Sequence, residues 1–272
     1  MLKQRILTAV PLAALVLWGI FTQPAEIIFY ALLLVITIAG WEWARLSGML
    51  NPLARAIYAL FIVSISYLSN HWITLHPQLL HTVLSISVAF WLVASYYMFS
   101  KGPRGVQSQL SWLKLLLGIL VLLPPVMALV YLREQSHLWL LYGLSIVWVA
   151  DIGAYFSGKR FGKTKLAVHL SPGKTKEGLY GAVFLTAVYS YLASLFFGLS
   201  PIATLMLMII TVLATYISVA GDLFFSLLKR EQNLKDTGCI LPGHGGILDR
   251  IDSLMSSAPF VALLFSMVIF NG

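Results

Sequence analysis

Charge is scarce in this sequence, and so is cysteine. Only 10% of the 272 residues are Asp, Glu, Lys or Arg, against 59% hydrophobic; mean hydropathy is +0.87. A soluble domain carries about 25% charged and roughly 45–50% apolar residues, so a water-covered surface cannot be assembled from this composition. A disordered chain would need more charge and fewer aromatics than the 13% present. The single cysteine, Cys239, excludes a disulfide framework, and there is neither a CxxC nor a Cys/His zinc spacing. Acids are the scarcer sign, ten against eighteen Lys and Arg. The resulting net charge of +8 would suit a nucleic-acid partner, but the cations lie in short loops between apolar runs. A bilayer explains that placement, so no nucleic acid is expected. No repeat or low-complexity tract is visible. The fold class that follows is all-α, a polytopic integral membrane protein.

A membrane helix takes about 20 mostly apolar residues. Nine segments meet or approach that length: 6–22, 25–44, 56–74, 79–99, 112–132, 137–157, 178–199, 201–224 and 251–270. The first follows Lys3 and Arg5 in the manner of a secretory signal, but no A-x-A cleavage site succeeds it, and it is expected to be retained. With the N-terminus in the cytoplasm, seventeen of the eighteen Lys and Arg fall on the cytoplasmic side. They are Lys3 and Arg5; Arg45 and Arg55; Lys101, Arg104 and Lys114; Lys159, Arg160, Lys163, Lys165, Lys174 and Lys176; and Lys229, Arg230, Lys235 and Arg250. Arg133 alone falls opposite. The positive-inside rule thus gives nine spans, with the N-terminus cytoplasmic and the C-terminus on the other side.

The chain divides by character into residues 1–135, a scaffold of membrane helices, and residues 136–272, a membrane region with a cytoplasm-facing catalytic site. In the first part the acids are Glu26, Glu42 and Glu134. Glu42, in Trp41-Glu42-Trp43-Ala44-Arg45 at a helix end, reads either as part of an interfacial Trp belt with a local Glu–Arg pair or as a substrate-facing group. Pro124-Pro125 within a span is expected to kink or break its helix. Seven of the ten acids lie between residues 151 and 252. Asp151 and Asp222 fall late in spans, and Asp249, Arg250 and Asp252 open the last one. An acid in a span is costly unless it faces a cavity or a partner. Several converging on one membrane face point to a polar cavity there rather than to isolated ion pairs. Asp222, Ser226 and Lys229 or Arg230 share one helical face, as do Asp249, Asp252 and Ser253. Two facing helices would then each present a carboxylate without an adjacent cation, and carboxylates with water and phosphate are what Mg²⁺ prefers.

Two cytoplasmic loops surround these acids. Residues 158–178 contain two Gly-Lys-Thr triplets but no P-loop, because Ser157 and Val168 stand where the first glycine of that motif would be. Their six cations suit either anionic lipid or a polyphosphate wrapped by amides and cations. The second loop brings Pro242-Gly243-His244-Gly245-Gly246 directly before the ninth helix. Its glycines allow close backbone approach to a ligand, and the helix start adds a positive dipole. His244 is there either a turn residue or a polar contact to substrate.

The stretch Ser226-Leu-Leu-Lys229-Arg230-(four residues)-Lys235-Asp236-Thr-Gly238-Cys-Ile-Leu241-Pro242-Gly-His244-Gly245-Gly246-Ile-Leu-Asp249-Arg250-Ile-Asp252 resembles the signature of the phosphatidate cytidylyltransferases, or CDP-diacylglycerol synthases, without departure across its 27 positions. Ser171-Pro-Gly-Lys174-Thr175-Lys-Glu177-Gly178 and the region of Asp151, Gly153, Ala154 and Tyr155 are similar too. The first half resembles the family in length and hydropathy only. The resemblance implies a multi-pass enzyme of the bacterial inner membrane, dependent on Mg²⁺ and often a homodimer. It would convert CTP and the lipid phosphatidate to CDP-diacylglycerol and pyrophosphate. The nucleophile of that reaction is a phosphomonoester oxygen with second pKa about 6, already ionised at neutral pH. Catalysis would then consist of positioning and charge neutralisation, with one or two metal ions bridging the phosphates. Asp222 and Asp249 are the expected metal ligands, followed by Asp252 and Asp236. Lys229, Arg230, Lys235, Arg250 and His244 would hold phosphates. Ser171, Lys174, Thr175 and Lys176 would hold the triphosphate, with Ser226, Gly245, Gly246 and Asp151 as further substrate contacts. The Asp-Gly…Ala-Arg…Gly…Asp…Asp motif of CDP-alcohol phosphotransferases is absent. Activation of another lipid phosphate by CTP stays open as an alternative. A transporter would need matched broken spans in both halves, whereas the polar residues here crowd into one.

Overall fold

The computed structural model describes residues 2–100, 112–168, 170–240, 243 and 245–270, with the backbone alone for residues 2–9 and 100. Lys101, Arg104, His169, Leu241, Pro242 and His244 lie outside the described residues. Among the described residues there are nine helices: α1 (Leu2–Thr22), α2 (Ala25–Leu46), α3 (Pro52–Leu75), α4 (Gln78–Ser100), α5 (Trp112–Gln135), α6 (His137–Phe161), α7 (Lys176–Phe196), α8 (Pro201–Glu231) and α9 (Leu248–Val268). Eight are long and apolar enough to cross a membrane, and α1 contributes the apolar stretch Val10–Thr22. The protein is therefore an all-α polytopic membrane protein.

Local chemistry sets the helix starts. Asn51 accepts the amides of Leu53 and Ala54 ahead of Pro52, and Ser136 accepts that of Leu138. Thr175 caps α7 through the Gly178 amide, and Ser200 caps α8 with Pro201 next in line. Several boundaries depart from the apolar spans by a few residues, and two of these departures bear on the site. Helix α8 runs on to Glu231, beyond the expected 224, and α9 starts at Leu248 rather than 251. Lys229 and Arg230 thus stand on the last turn of a helix, where their charge suits its negative end. Helix α5 continues through Pro124 and Pro125 rather than breaking. It is a central helix, where a break would expose unpaired carbonyls to apolar neighbours at several kcal/mol each.

Helices α5 and α9 form the centre: 72% of the most apolar window of each is buried, against 17% for α3. One hydrophobic core draws on both halves of the chain, including Trp43, Trp91, Val126, Phe225 and Phe265. Large apolar side chains such as Leu34, Val93 and Phe184 remain outward, as hydrocarbon requires.

The helix ends are sorted by side. The last turns of α2 and α8 meet the first turns of α5 and α9, through Lys114–Glu231 at 2.6 Å and Glu42 on the Leu248 amide at 2.9 Å. On the far side Arg133, ending α5, donates to the Gln23 carbonyl between α1 and α2. Between α6 and α7 lies a feature the sequence reading lacks, an antiparallel hairpin of β1 (Lys165–Ala167) and β2 (Ser171–Thr175).

Candidate active site

Small residues let the helices that carry the acids approach closely. A Cβ on Gly221 of α8 would come within 2.8 Å of the Ser256 Cβ on α9 and 3.1 Å of the Asp252 carbonyl. A Cβ on Gly153 of α6 would stand 2.6 Å from the Gly181 carbonyl on α7. These contacts are the membrane form of small-residue packing, and they bring Asp151, Asp222 and Asp252 towards one another. The hairpin folds back over α8: Leu170, with Leu166 and Ala167 beside it, packs on Leu223, Leu227 and Met98. That contact delivers Lys174 of β2 to the acids.

Lys174 Nζ lies 2.5 Å from Asp222 Oδ2, with both side chains about a quarter exposed (26% and 27%). Ser226, one turn on, donates to Asp222 Oδ1 at 3.3 Å. Asp151 and Asp252 each interact electrostatically with both Asp222 and Lys174. Asp252 is buried, accepts the Ser253 amide at 2.7 Å, and faces Lys229 as its second cation. Arg250 is exposed and interacts with Asp151. A cavity of about 340 Å³ opens here, lined by Asp151, Tyr155, Lys159, Lys174, Thr175 and Val219.

Asp249 forms a second centre. Its Oδ1 receives Lys229 Nζ at 2.8 Å. Its Oδ2 accepts the Thr237 amide (2.8 Å), the Gly246 amide (2.9 Å) and the Thr237 hydroxyl (3.0 Å). The expectation that Asp222 and Asp249 lack neighbouring cations is therefore corrected. Each has one lysine, and sequence spacing hid them because Lys174 comes from a separate hairpin and Lys229 from the facing helix.

The other expected residues divide. Ser171, Lys174 and Thr175 lie on β2, and Lys174 and Thr175 line the cavity, although the Thr175 hydroxyl already accepts the Gly178 amide. The Lys176 side chain is exposed at the start of α7. Arg230 is turned to the Leu234 carbonyl at 3.3 Å, and Lys235 and Asp236 are exposed in the loop after α8. Gly245 has φ +84°, and a Cβ there would stand 2.9 Å from Asp249 Oδ2 and 3.2 Å from the Asp236 Cβ. The glycines thus admit close approach, but to the Asp249 carboxylate: the Gly246 amide is committed to it.

Three contributors lie outside the expected site residues, Glu42 among them although one of its two readings is a substrate-facing group. Glu42, buried at the end of α2, accepts the Thr237 hydroxyl and the amides of Ile247 and Leu248. This replaces the local Glu–Arg pair, and Arg45 instead donates to the Thr237 carbonyl at 3.3 Å. Thr237 sits between the two carboxylates. The one available signal was a buried-type position for Glu42 beside two tryptophans, and it named no partner.

Among the described residues no three His, Cys, Asp or Glu gather into a metal-holding group. Mg²⁺ needs only one or two carboxylates when substrate phosphates complete its shell. The donors fit that requirement: hard carboxylate oxygens on Asp222 and Asp249, each presently held by a lysine that a phosphate could attract.

The sequence matches the cytidylyltransferase family over residues 3–268. It is 39% identical over 275 residues to the phosphatidate cytidylyltransferase of Pseudomonas aeruginosa, covering 98% of each chain. It is 34% identical over 289 residues to that of Haemophilus influenzae, covering 99% of this chain and 100% of the relative. With the Bacillus subtilis phosphatidate cytidylyltransferase it shares 40% over 136 residues, 50% of each chain. The similarity thus includes the first half, where only length and hydropathy had spoken.

Proposed function

The chain belongs to the cytidylyltransferase family, and from that premise we propose that it converts CTP and phosphatidate to CDP-diacylglycerol and pyrophosphate at the cytoplasmic face of the bacterial inner membrane. The observation that carries this reading is the pairing of Lys174 with Asp222 and of Lys229 with Asp249 where helix ends meet on one side of the bundle. A bilayer lipid and a nucleotide dissolved in water can both reach that level. The abundance of cations on the same side supports a cytoplasmic setting for it.

The reaction brings a lipid phosphate oxygen onto the α-phosphorus of CTP and expels pyrophosphate. The attacking oxygen is ionised already, so the residues need not supply a strong base. Their work is to bring two polyanions together. Lys174, on the hairpin beside the cavity, holds the triphosphate. Lys229, near the start of α9, holds the second phosphate. Asp222 and Asp249 would hold Mg²⁺ through the oxygens their lysines now occupy. When bound, that ion supplies charge neutralisation of the phosphates and of the leaving pyrophosphate. Asp252 attracts both lysines and Asp151 attracts Lys174.

The test is mass-spectrometric detection of CDP-diacylglycerol from purified protein supplied with CTP, phosphatidate and Mg²⁺. Turnover with phosphatidate supports the reading. Absence of product with phosphatidate, but product with another lipid phosphate, overturns the substrate assignment.

A further inference from the structure

We propose that Glu42 is a positioning residue of the transfer reaction: from α2 it fixes the start of α9 and, through the Thr237 hydroxyl, the setting of the Asp249 carboxylate. The inference rests on the reading of Asp249 as a site residue.

Helix α9 begins without a cap of its own. Ile247, the residue before it, has no side chain able to accept an amide. The first amides of a helix lack partners within it and carry partial positive charge. Glu42 supplies what Ile247 cannot: its Oε1 accepts the Ile247 amide at 3.1 Å and its Oε2 the Leu248 amide at 2.9 Å. With 1% of its surface exposed, this carboxylate is sealed among those donors.

The same Oε2 takes the Thr237 hydroxyl at 2.7 Å, and that hydroxyl lies 3.0 Å from Asp249 Oδ2. A hydroxyl has one proton, here shared between two carboxylates, so the place of one constrains the other. Arg45, on the same helix, holds the Thr237 carbonyl. The chain is wound tightly enough around Glu42 that side chains are excluded on both flanks. A Cβ on Gly238 would lie 3.0 Å from the Glu42 Cδ, and one on Gly246 2.5 and 2.6 Å from its two oxygens. The amides of Thr237 and Gly246 that bind Asp249 therefore belong to residues seated against Glu42. A purely structural anchor would need only the two helix amides. The hydroxyl link to Asp249 is what ties Glu42 to the chemistry.

The full-length protein, purified in detergent, is compared as wild type, Glu42→Gln, Thr237→Val, Thr237→Ser, the double variant Glu42→Gln/Thr237→Val, and Asp249→Asn. Initial rates are taken with CTP and phosphatidate varied separately, and thermal unfolding is followed on the same samples. Loss of one hydrogen bond to a charged group corresponds to about ten- to a hundredfold. A fall of that size is expected in kcat for Glu42→Gln and Thr237→Val, with the KM for phosphatidate unchanged. Thr237→Ser, which keeps the hydroxyl, should recover most of kcat. The double variant should lose no more than the worse single one, as residues acting through one link do. Wild-type kcat in folded Glu42→Gln, or multiplied losses in the double variant, overturns the inference. If Glu42→Gln does not accumulate, Thr237→Val decides, and wild-type kcat there overturns it equally. Full activity of Asp249→Asn overturns the reading of Asp249 itself; loss there with unchanged Glu42→Gln kinetics overturns the positioning role alone.

Discussion

Replacement of Lys174 by alanine should separate its structural from its catalytic contribution. The Lys174–Asp222 pair is about a quarter exposed on each side (26% and 27%), so solvent screens it, and pairs of that kind contribute about 0–1 kcal/mol to stability. The hairpin that carries Lys174 is held by apolar contacts of Leu166, Leu170, Leu223 and Leu227, which the substitution leaves intact. Unfolding should therefore move little. A charge-assisted contact to a phosphate is worth roughly 1.5–3 kcal/mol, or about ten- to a hundredfold in kcat/KM. That loss should appear when CTP is varied, as a raised KM or a lowered kcat, while the KM for phosphatidate stays near wild type. Lys174→Arg should recover part of it, since charge returns but geometry does not. Lys176, whose side chain is exposed at the start of α7, should cost less when truncated. Steady-state kinetics with each substrate varied in turn measure this. Wild-type constants in Lys174→Ala would show the loop to be a positive-inside segment alone. A rise confined to the phosphatidate KM would move Lys174 to the lipid phosphate.

Activity should vanish in EDTA and return with Mg²⁺; full turnover in chelator removes the metal from the reading. Asp249→Asn should abolish activity and also lower the unfolding temperature. An amide NH₂ must then face either Lys229 or the Thr237 and Gly246 amides, and a misplaced buried polar group costs about 1–3 kcal/mol. An inactive variant of unchanged stability would contradict the described hydrogen bonds. Gly221→Ala should destabilise by about 1–3 kcal/mol and reduce kcat, because its Cβ intrudes on Ser256 and parts α8 from α9. Addition of Ser256→Gly, which removes the side-chain atoms met and leaves only the Asp252 carbonyl at 3.1 Å, should restore part of both, and a Gly221→Ala protein with wild-type melting and rate would disprove the close crossing.

The spans were legible because hydrocarbon imposes both a length and an apolar composition, and because cation-bearing loops alternate with cation-poor ones along the chain. What lay beyond the hydrocarbon was harder to read. The extension of α8 through Lys229, Arg230 and Glu231 follows from helix chemistry, not hydropathy, and Lys114 on α5 closes it from a distant part of the chain. Ser-Pro-Gly-Lys-Thr has poor strand character, since Pro and Gly are disfavoured in strands. Its pairing as β2 is imposed by packing of the hairpin on α8. Asp222 and Asp249 could be singled out by their position in spans, but not their lysines, which periodicity on a single helix does not reach. Glu42 was least legible of all. Beside Arg45 at a helix end it resembles an ordinary interfacial acid, and its partners lie 195, 205 and 206 residues away.

The pairings also explain how so few charges suffice. A carboxylate near the bilayer is costly without a partner, and four acids share this site. Before substrate arrives, Lys174 and Lys229 neutralise Asp222 and Asp249, and Glu42 is satisfied by amides rather than by a cation. Under the proposed function the substrates would then bring the negative charge, and a phosphate would compete for each lysine. In the proposed reaction, each lysine that turned to a phosphate would leave a carboxylate oxygen for a divalent cation, and charge would stay balanced as the site fills. Such an exchange needs movable lysines and immovable carboxylates. Asp249 meets that condition, since three donors hold Oδ2 whether or not Lys229 remains on Oδ1. The scaffold half of the chain enters the chemistry at this point, because Thr237, which supplies two of those donors, is itself held from α2.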